Sequence, residues 1–245
     1  MNLAKSGSAR GAALNMQHQV LNDLLYARSS CRAFLQQPVP RSTIVAVLET
    51  AQRTASWCNT QPWQLIVTSG TATTRLQNAL YQHAANDATD GAIPQSDLPW
   101  PREYRGIYLE RRRETGFQLH EAIGIARGDK SARKQQLLEN YRMFGAPHVA
   151  IVTTDDALGV YGAIDCGAFV SNFLLAAQAS GLGAIAQAAL ARYSPFLRQH
   201  FNLSNDRLIV CGIAFGFADR AHKANDFRTS RARLEDVVFW AGEHD

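Results

Sequence analysis

Residues 163–189 read AIDCGAFVSNFLLAAQASGLGAIAQAA, and the junction at Ser180–Gly181 decides how they fold. Before it, Ala163–Ala179 is dense in Ala, Leu, Phe and Val, yet carries Asp165, Ser171, Asn172 and Gln178. Those polar residues, and a length short of the roughly 20 apolar residues that a spanning helix needs, mark a helix buried inside a soluble fold. After it, Gly181-Leu182-Gly183-Ala184-Ile185-Ala186 matches G-x-G-x-x-A. A dinucleotide fingerprint of that form must follow a strand and open a helix. Here the glycines follow a helix. Gly181 therefore reads as a helix C-cap, and a doubly wound dinucleotide-binding fold is rejected.

Strands flank this helix on both sides, at Val149–Thr154 and Leu208–Phe215 (LIVCGIAF), with a short helix Phe196–Phe201 opened by Pro195. Further upstream, the β-branched run Gln64–Ser69 ends at Gly70. Helices are expected over Val20–Ala27, Thr74–Ala85 and Thr43 to about Ala55. The last of these has Ser42 as N-cap and Ile44, Val47, Leu48 and Ala51 at helical spacing. Residues 86–105 are polar and proline-rich, and Ile107–Tyr141 is charged and helical with breaks near Gly116 and Gly128. An irregular insertion of this length is usually either functional or mobile, and about 86–135 reads as an inserted lid. Residues 1–19 lack the apolar core of a secretory signal and read as a flexible leader. Residues 20–245 then form one domain that closes in an arm over about 225–245.

The 245 residues are 46% hydrophobic and 19% charged, ordinary values for a chain with a real core. A net charge of +4 suits either nucleic acid or an anionic small molecule. Cys31, Cys58, Cys166 and Cys211 contain no C-x-x-C pair, and the histidines no H-x-x-x-H pair, so neither a metal site nor a disulfide framework is indicated. A reducing cytoplasm is the simplest compartment.

Three clusters carry chemistry. Arg28, Ser30 and Arg32 alternate along a non-helical segment, and in an extended chain they point the same way. Two guanidiniums and a hydroxyl suit a phosphate, because the planar donor fork of arginine matches its oxygens. The competing reading is a solvated basic turn. Ser56, Trp57, Asn59 and Gln61 form a polar loop whose amides could pair with a heterocycle that alternates carbonyl and N–H groups. The same loop could be purely structural, with Trp63 packed in the core. Asn140 and Arg142 precede Gly145-Ala146-Pro147-His148, and a cation there could stabilise negative charge on a reduced flavin ring. A surface arginine is the alternative, and His148 reads as structural. Arg228 and Arg231 form a further basic site near the C-terminus, which only tertiary folding could bring to Arg28.

Taken in order, these blocks resemble the nitroreductase family of flavoproteins. RSSCRAF is similar to its R-x-S-x-R-x-F signature, and ASWCNTQPWQLIV to its P-S-x-x-N-x-Q-P-W segment. NYRMFGAPHVAIV, DCGAFVSNFLLAAQASGLGAIAQAAL, LIVCGIAFGFAD and RTSRARLEDVVFW follow in family order. The likeness covers Leu24–Gly70 and Asn140–Trp240. Ala55, Ala186 and Arg233 stand where proline is common, and Ser29 where a second basic residue is frequent; these leave the subgroup open.

The resemblance implies an α+β fold with a mostly antiparallel central sheet flanked by helices. It also implies an intertwined homodimer with two FMN sites at its interface. Arg28, Ser30, Arg32 and Arg231, with Arg228 beside them, would hold the phosphate. Ser56, Trp57 and Asn59 would reach the flavin of the partner subunit, and Asn140 and Arg142 its pyrimidine edge. Backbone amides near Gln187, Ala188 and Ala189 would face N5 and O4. Ala163–Ala179 would be the central dimer helix. NADPH or NADH would supply hydride through flavin N5 to a small aromatic acceptor such as a nitroaromatic or quinone, so no acid–base side chain is nominated. Tyr104, Tyr108 and Phe117 are candidate stacking walls for that acceptor. The rivals are the same fold with dehalogenase, flavin-fragmenting or dehydrogenase chemistry, and a non-enzymatic nucleic-acid-binding dimer. The second is disfavoured because the arginines are interleaved with Ser, Asn and Gln rather than forming a basic stripe. Neither nucleic acid nor membrane is an expected partner.

Overall fold

A computed structural model describes residues 4–87 and 95–242, with side chains from Asn15 onward. The first residues of the expected leader, 88–94 of the expected lid and the last three of the arm lie outside the described residues.

Four strands form the sheet: β1 (Gln64–Ser69), β2 (His148–Asp155), β3 (Gly183–Gln187) and β4 (Arg207–Gly216). Their spatial order is β1-β2-β4-β3 and every pairing is antiparallel. An α+β fold with an antiparallel sheet is thus present, and the absence of parallel crossovers agrees with the rejection of a dinucleotide-binding motif.

The sheet is buried on both faces, and the apolar side chains of Val149–Val152 in β2 alternate between two cores. Val149 and Ile151 join a cluster with Leu76, Leu80, Met143, Leu190 and Leu197. Ala150 and Val152 join the opposite one with Val47, Trp63, Phe169 and Phe173. Helices α2 (Arg41–Ala51) and α6 (Gly159–Ala179) cover that second face. Helices α3 (Thr71–Asn86), α7 (Ala188–Ala191) and α8 (Ser194–Phe201) cover the first. A register shift between Val152 and Thr153 leaves Val210 without a partner in β2. The bulge reverses the facing of β4, so that Ile209 lies in the first core and Cys211 in the second.

Several boundaries differ from the sequence reading. Helix α1 runs over Ala4–Ala27, so the segment read as a flexible leader is helical from Ala4; it has no proline and is rich in alanine. Helix α2 begins at Arg41 behind Pro40 rather than after Ser42, and both Thr43 and Ile44 amides donate to the Pro40 carbonyl. Helix α4 (Ile107–Ala122) passes through Gly116 unbroken. The chain turns instead at Gly124, before α5 (Lys130–Leu138).

Strand β3 has no alternating pattern, since the Gly183–Ala186 run that precedes Gln187 is without a polar side chain; pairing with Gly212–Gly216 makes it a strand. The glycines allow close approach: a Cβ at Gly216 would sit 2.6 Å from Pro147 Cδ, and one at Gly183 2.8 Å from Cys31 Sγ. Gly181 does end α6. Its amide donates to Gln178 O at 3.0 Å and that of Leu182 to Ala177 O at 2.9 Å, the paired bonds of a Schellman cap.

Helix α6 is longer than expected, and taken with its preceding turn (Asp156–Ala179) it is long and apolar enough to cross a membrane. Its Cys166, Phe169, Val170 and Phe173 face packs on the sheet, while Val160, Tyr161, Ile164, Gly167 and Ala168 are exposed in the single chain. The helix is therefore half-buried rather than wholly enclosed.

His148 is structural. Its Nε2 accepts from the Val39 amide at 2.9 Å, which leaves the proton on Nδ1, 3.3 Å from Thr68 O. The ring stacks on Phe215, and burial pushes its pKa below the ordinary histidine value. The unfolded chain binds this proton below about pH 6.5 while the folded one resists it, so stability falls as pH drops from there towards the folded pKa. Urea unfolding midpoints at pH 7.5 and 5.5 should differ for the wild type and differ less for His148→Gln. Equal differences in the two proteins would remove His148 from the acid sensitivity.

Candidate active site

The segment after α1 is held extended by partners from distant parts of the chain. Ser30 bridges to Ala184 of β3, and the Cys31 amide donates to Ala184 O at 3.1 Å. The Arg32 amide donates to Asn225 Oδ1 at 2.7 Å, and the Leu35 amide to Phe217 O at 2.8 Å. Asn225 also donates to Ala33 O and Asp219 O, so one side chain ties this segment to the turn after β4. The sequence reading passed over Asn225, because nothing local signals a partner 193 residues away.

This stitching brings the two basic clusters together. Arg28, Ser30, Arg32, Arg228 and Arg231 line one cavity of about 720 Å³, walled by Tyr26, Phe227 and Thr115 of α4. None of the four arginines forms an ion pair with a carboxylate among the described residues. Arg228 and Arg231 donate only to neighbouring backbone and to Thr229 Oγ1. Burial, and secondly the charge of Arg231, lower the pKa of Arg28; burial lowers that of Arg32, whose guanidinium lies 5.4 Å from the Phe227 ring. Uncompensated cations in a partly desolvated cavity favour an anion with several acceptor oxygens.

Arg32 also lines a second cavity of about 440 Å³, so the two adjoin. This one is bounded by Asn140, Gln187, Ala188, Ala189 and, from α4 and α5, His120 and Arg133. Gln187 is buried; its Nε2 donates to Asn140 O at 3.0 Å, while its Oε1 has no partner. A buried amide oxygen without a donor carries an unmet demand for one. Ala188 and Ala189 open α7, where first-turn amides have no intrahelical acceptor.

Other expected residues lie elsewhere. Arg142 does not line the second cavity; its guanidinium sits 3.8 Å from the Tyr81 ring centroid and 3.9 Å from Glu139. Met143 and Phe144, both at positive φ, turn the chain sharply just after it. His120 and Arg133 line this cavity where Arg142 does not, and the unpatterned insert gave no signal for them. Tyr104, Tyr108 and Phe117 line neither cavity. Tyr104 and Phe117 lie against Arg112 and Arg127, and Tyr108 is exposed.

Ser56, Trp57 and Asn59 also lie away from both cavities of their own chain. Trp57 is 57% exposed, packs edge-on against Tyr161, and its amide donates to Asp165 of α6 at 3.1 Å. Cys58, Asn59 and Gln61 all hold positive φ, a costly conformation for non-glycine residues that accumulates at functional sites. This loop therefore borders the exposed face of α6.

Sequence and structure comparisons agree with this architecture. Residues 25–217 match the Nitroreductase family. The chain is 33% identical over 223 residues to a chloronitrobenzene nitroreductase of Comamonas testosteroni, covering 91% of this chain and 97% of that protein. It is 35% identical to the nitroreductase NfnB of Mycolicibacterium smegmatis, covering 90% and 92%. The crystal structure of the FMN-dependent nitroreductase NfnB from Mycobacterium smegmatis in complex with NADPH superposes with a TM-score of 0.84 at 32% identity, over 92% of this chain and 99% of that one. A match spanning the basic segment, the sheet and the helix that ends in the Gly181 cap places this chain in the nitroreductase family.

Proposed function

We propose that the protein is a cytoplasmic, homodimeric FMN-dependent oxidoreductase that uses NADPH or NADH to reduce nitroaromatic or related small aromatic acceptors. The observation that carries this reading is the meeting of Arg28, Arg32, Arg228 and Arg231, none paired with a carboxylate among the described residues, in a cavity that adjoins a polar one through Arg32.

The residues fit FMN. Its phosphate, with about −1.5 to −2 charge at pH 7, meets the demand of the arginine cluster and the Ser30 hydroxyl. Its pyrimidine edge offers an N–H donor of the kind the orphaned Gln187 Oε1 lacks. Asn140 fixes that glutamine by accepting from its Nε2, and the first-turn amides of Ala188 and Ala189 supply donors for ring acceptors. Ser56, Trp57 and Asn59 serve the site of the partner subunit, which accounts for their distance from the cavities of their own chain. When bound, FMN would supply the hydride-transfer chemistry between nicotinamide and acceptor, while the protein positions the reactants and excludes water. The lid helices α4 and α5 supply that exclusion, since Leu119, Gln136 and Leu137 wall the ring-end cavity.

The decisive measurement is the visible spectrum of the purified protein before and after anaerobic NADPH or NADH. Flavin bands that bleach, and recover on addition of a nitroarene, are expected. Bands that persist with both nucleotides would point to a different reductant, and no binding of added FMN would overturn the reading.

A further inference from the structure

Two side chains of the ring-end cavity are not used by the flavin reading. His120 from α4 and Arg133 from α5 line it alongside Ala188 and Ala189. Each brings a buried nitrogen with no partner, Nδ1 of His120 and Nε of Arg133. Among the described residues, no carboxylate lies within ion-pair distance of Arg133. The only acid on α5's first turn is its N-cap, Asp129, and that side chain accepts from the Ala132 amide. A buried guanidinium N–H without an acceptor is costly, and arginine satisfies that demand best with a planar, two-oxygen anion.

We infer that Arg133, with His120 beside it, is a specificity-determining station of the lid that takes a carboxylate carried by the aromatic acceptor. The inference rests on the proposed flavin site, because it takes the acceptor to stack at the ring end. Position selects the carboxylate over the other available anion. The station adjoins Ala188 and Ala189, where a reacting ring and its own substituents lie. The 2′-phosphate of NADPH is separated from its nicotinamide by two riboses and a pyrophosphate. Burial, and then the charge of Arg133, lower the pKa of His120, so the imidazole is neutral at pH 7 and adds a hydrogen bond rather than a second charge.

The test compares holoenzyme with Arg133→Gln and Arg133→Lys, using 4-nitrobenzoate and nitrobenzene as acceptors and benzoate as an unreactive ligand. In Arg133→Gln, KM for 4-nitrobenzoate should rise about 30-fold more than KM for nitrobenzene, the size of one lost charge-assisted contact. Arg133→Lys should recover part of that preference. Benzoate should perturb the flavin absorbance of the wild type at concentrations that leave Arg133→Gln unchanged, a readout independent of turnover. Parallel changes for both acceptors would overturn the inference while nitrobenzene turnover upheld the flavin site. A change confined to NADPH relative to NADH would also overturn it, assigning Arg133 to the nucleotide phosphate. Loss of flavin from the wild type would sink both readings together.

Discussion

Arg32→Ala should cost the protein its flavin and leave the fold intact. Arg32 is the one arginine that lines both cavities, so its guanidinium stands where the two adjoin. The variant keeps the backbone bond to Asn225 that holds this segment extended, since that bond uses the amide and not the side chain. What is lost is a desolvated cation, worth about 1.5–3 kcal/mol for each charge-assisted contact. Two such contacts would weaken FMN binding by roughly two to four orders of magnitude. Quenching of FMN fluorescence on titration gives that number. The same substitution should not lower the thermal midpoint of the flavin-free protein. Burial already depresses the pKa of Arg32, and Arg28 and Arg231 oppose each other nearby. Truncating Arg32 removes a guanidinium whose burial disfavours its charge. An unchanged FMN affinity would refute the phosphate assignment; a collapsed apo midpoint would show Arg32 to be structural.

How far the sequence could be read follows from where each signal is encoded. The strands β1, β2 and β4 and the helices around them are written locally, in β-branched runs and apolar periodicity, and their centres are as read. Gly181 was legible as a cap because a left-handed turn after an apolar helix has a narrow residue preference. Strand β3 was not, because GAIAQ becomes a strand only by lying beside Gly212–Gly216. The arginine cluster was legible as two halves: alternation suggested Arg28, Ser30 and Arg32, and only Asn225 and the turn after β4 join them to Arg228 and Arg231.

The second cavity was less legible for a related reason. Arg142 was nominated from its place beside a recognisable motif, yet two residues at positive φ turn the chain just beyond it and its guanidinium lies over Tyr81. His120 and Arg133 stand in α4 and α5, where no pattern distinguishes them from the surrounding surface charges. Their significance comes from burial without partners, which is a property of packing alone.

Ile164→Glu should yield a monomer that no longer retains flavin. Helix α6 shows Val160, Tyr161 and Ile164 to solvent, Ile164 at 57% exposure, followed on the same face by Gly167 and Ala168. An apolar stripe of this kind, running into small residues that permit close backbone approach, is rare on a monomer and usual at an interface. Met16, Val20 and Leu21 of α1 and Val237, Phe239 and Trp240 of the arm are exposed as well. A glutamate introduced into such a contact would be an unpaired buried charge, costing about 3–5 kcal/mol and weakening association by a factor on the order of a thousand. The loss of flavin follows from the loop above this face. Trp57 leans on Tyr161 and its amide on Asp165, while Ser56, Trp57 and Asn59 line no cavity of their own chain. If they complete the partner's site, a monomer has only half of the ring contacts. Light scattering for mass and the flavin-to-protein absorbance ratio separate the two claims. A persistent dimer would remove α6 from the interface, and a monomer that kept its flavin would return Ser56, Trp57 and Asn59 to a purely structural role.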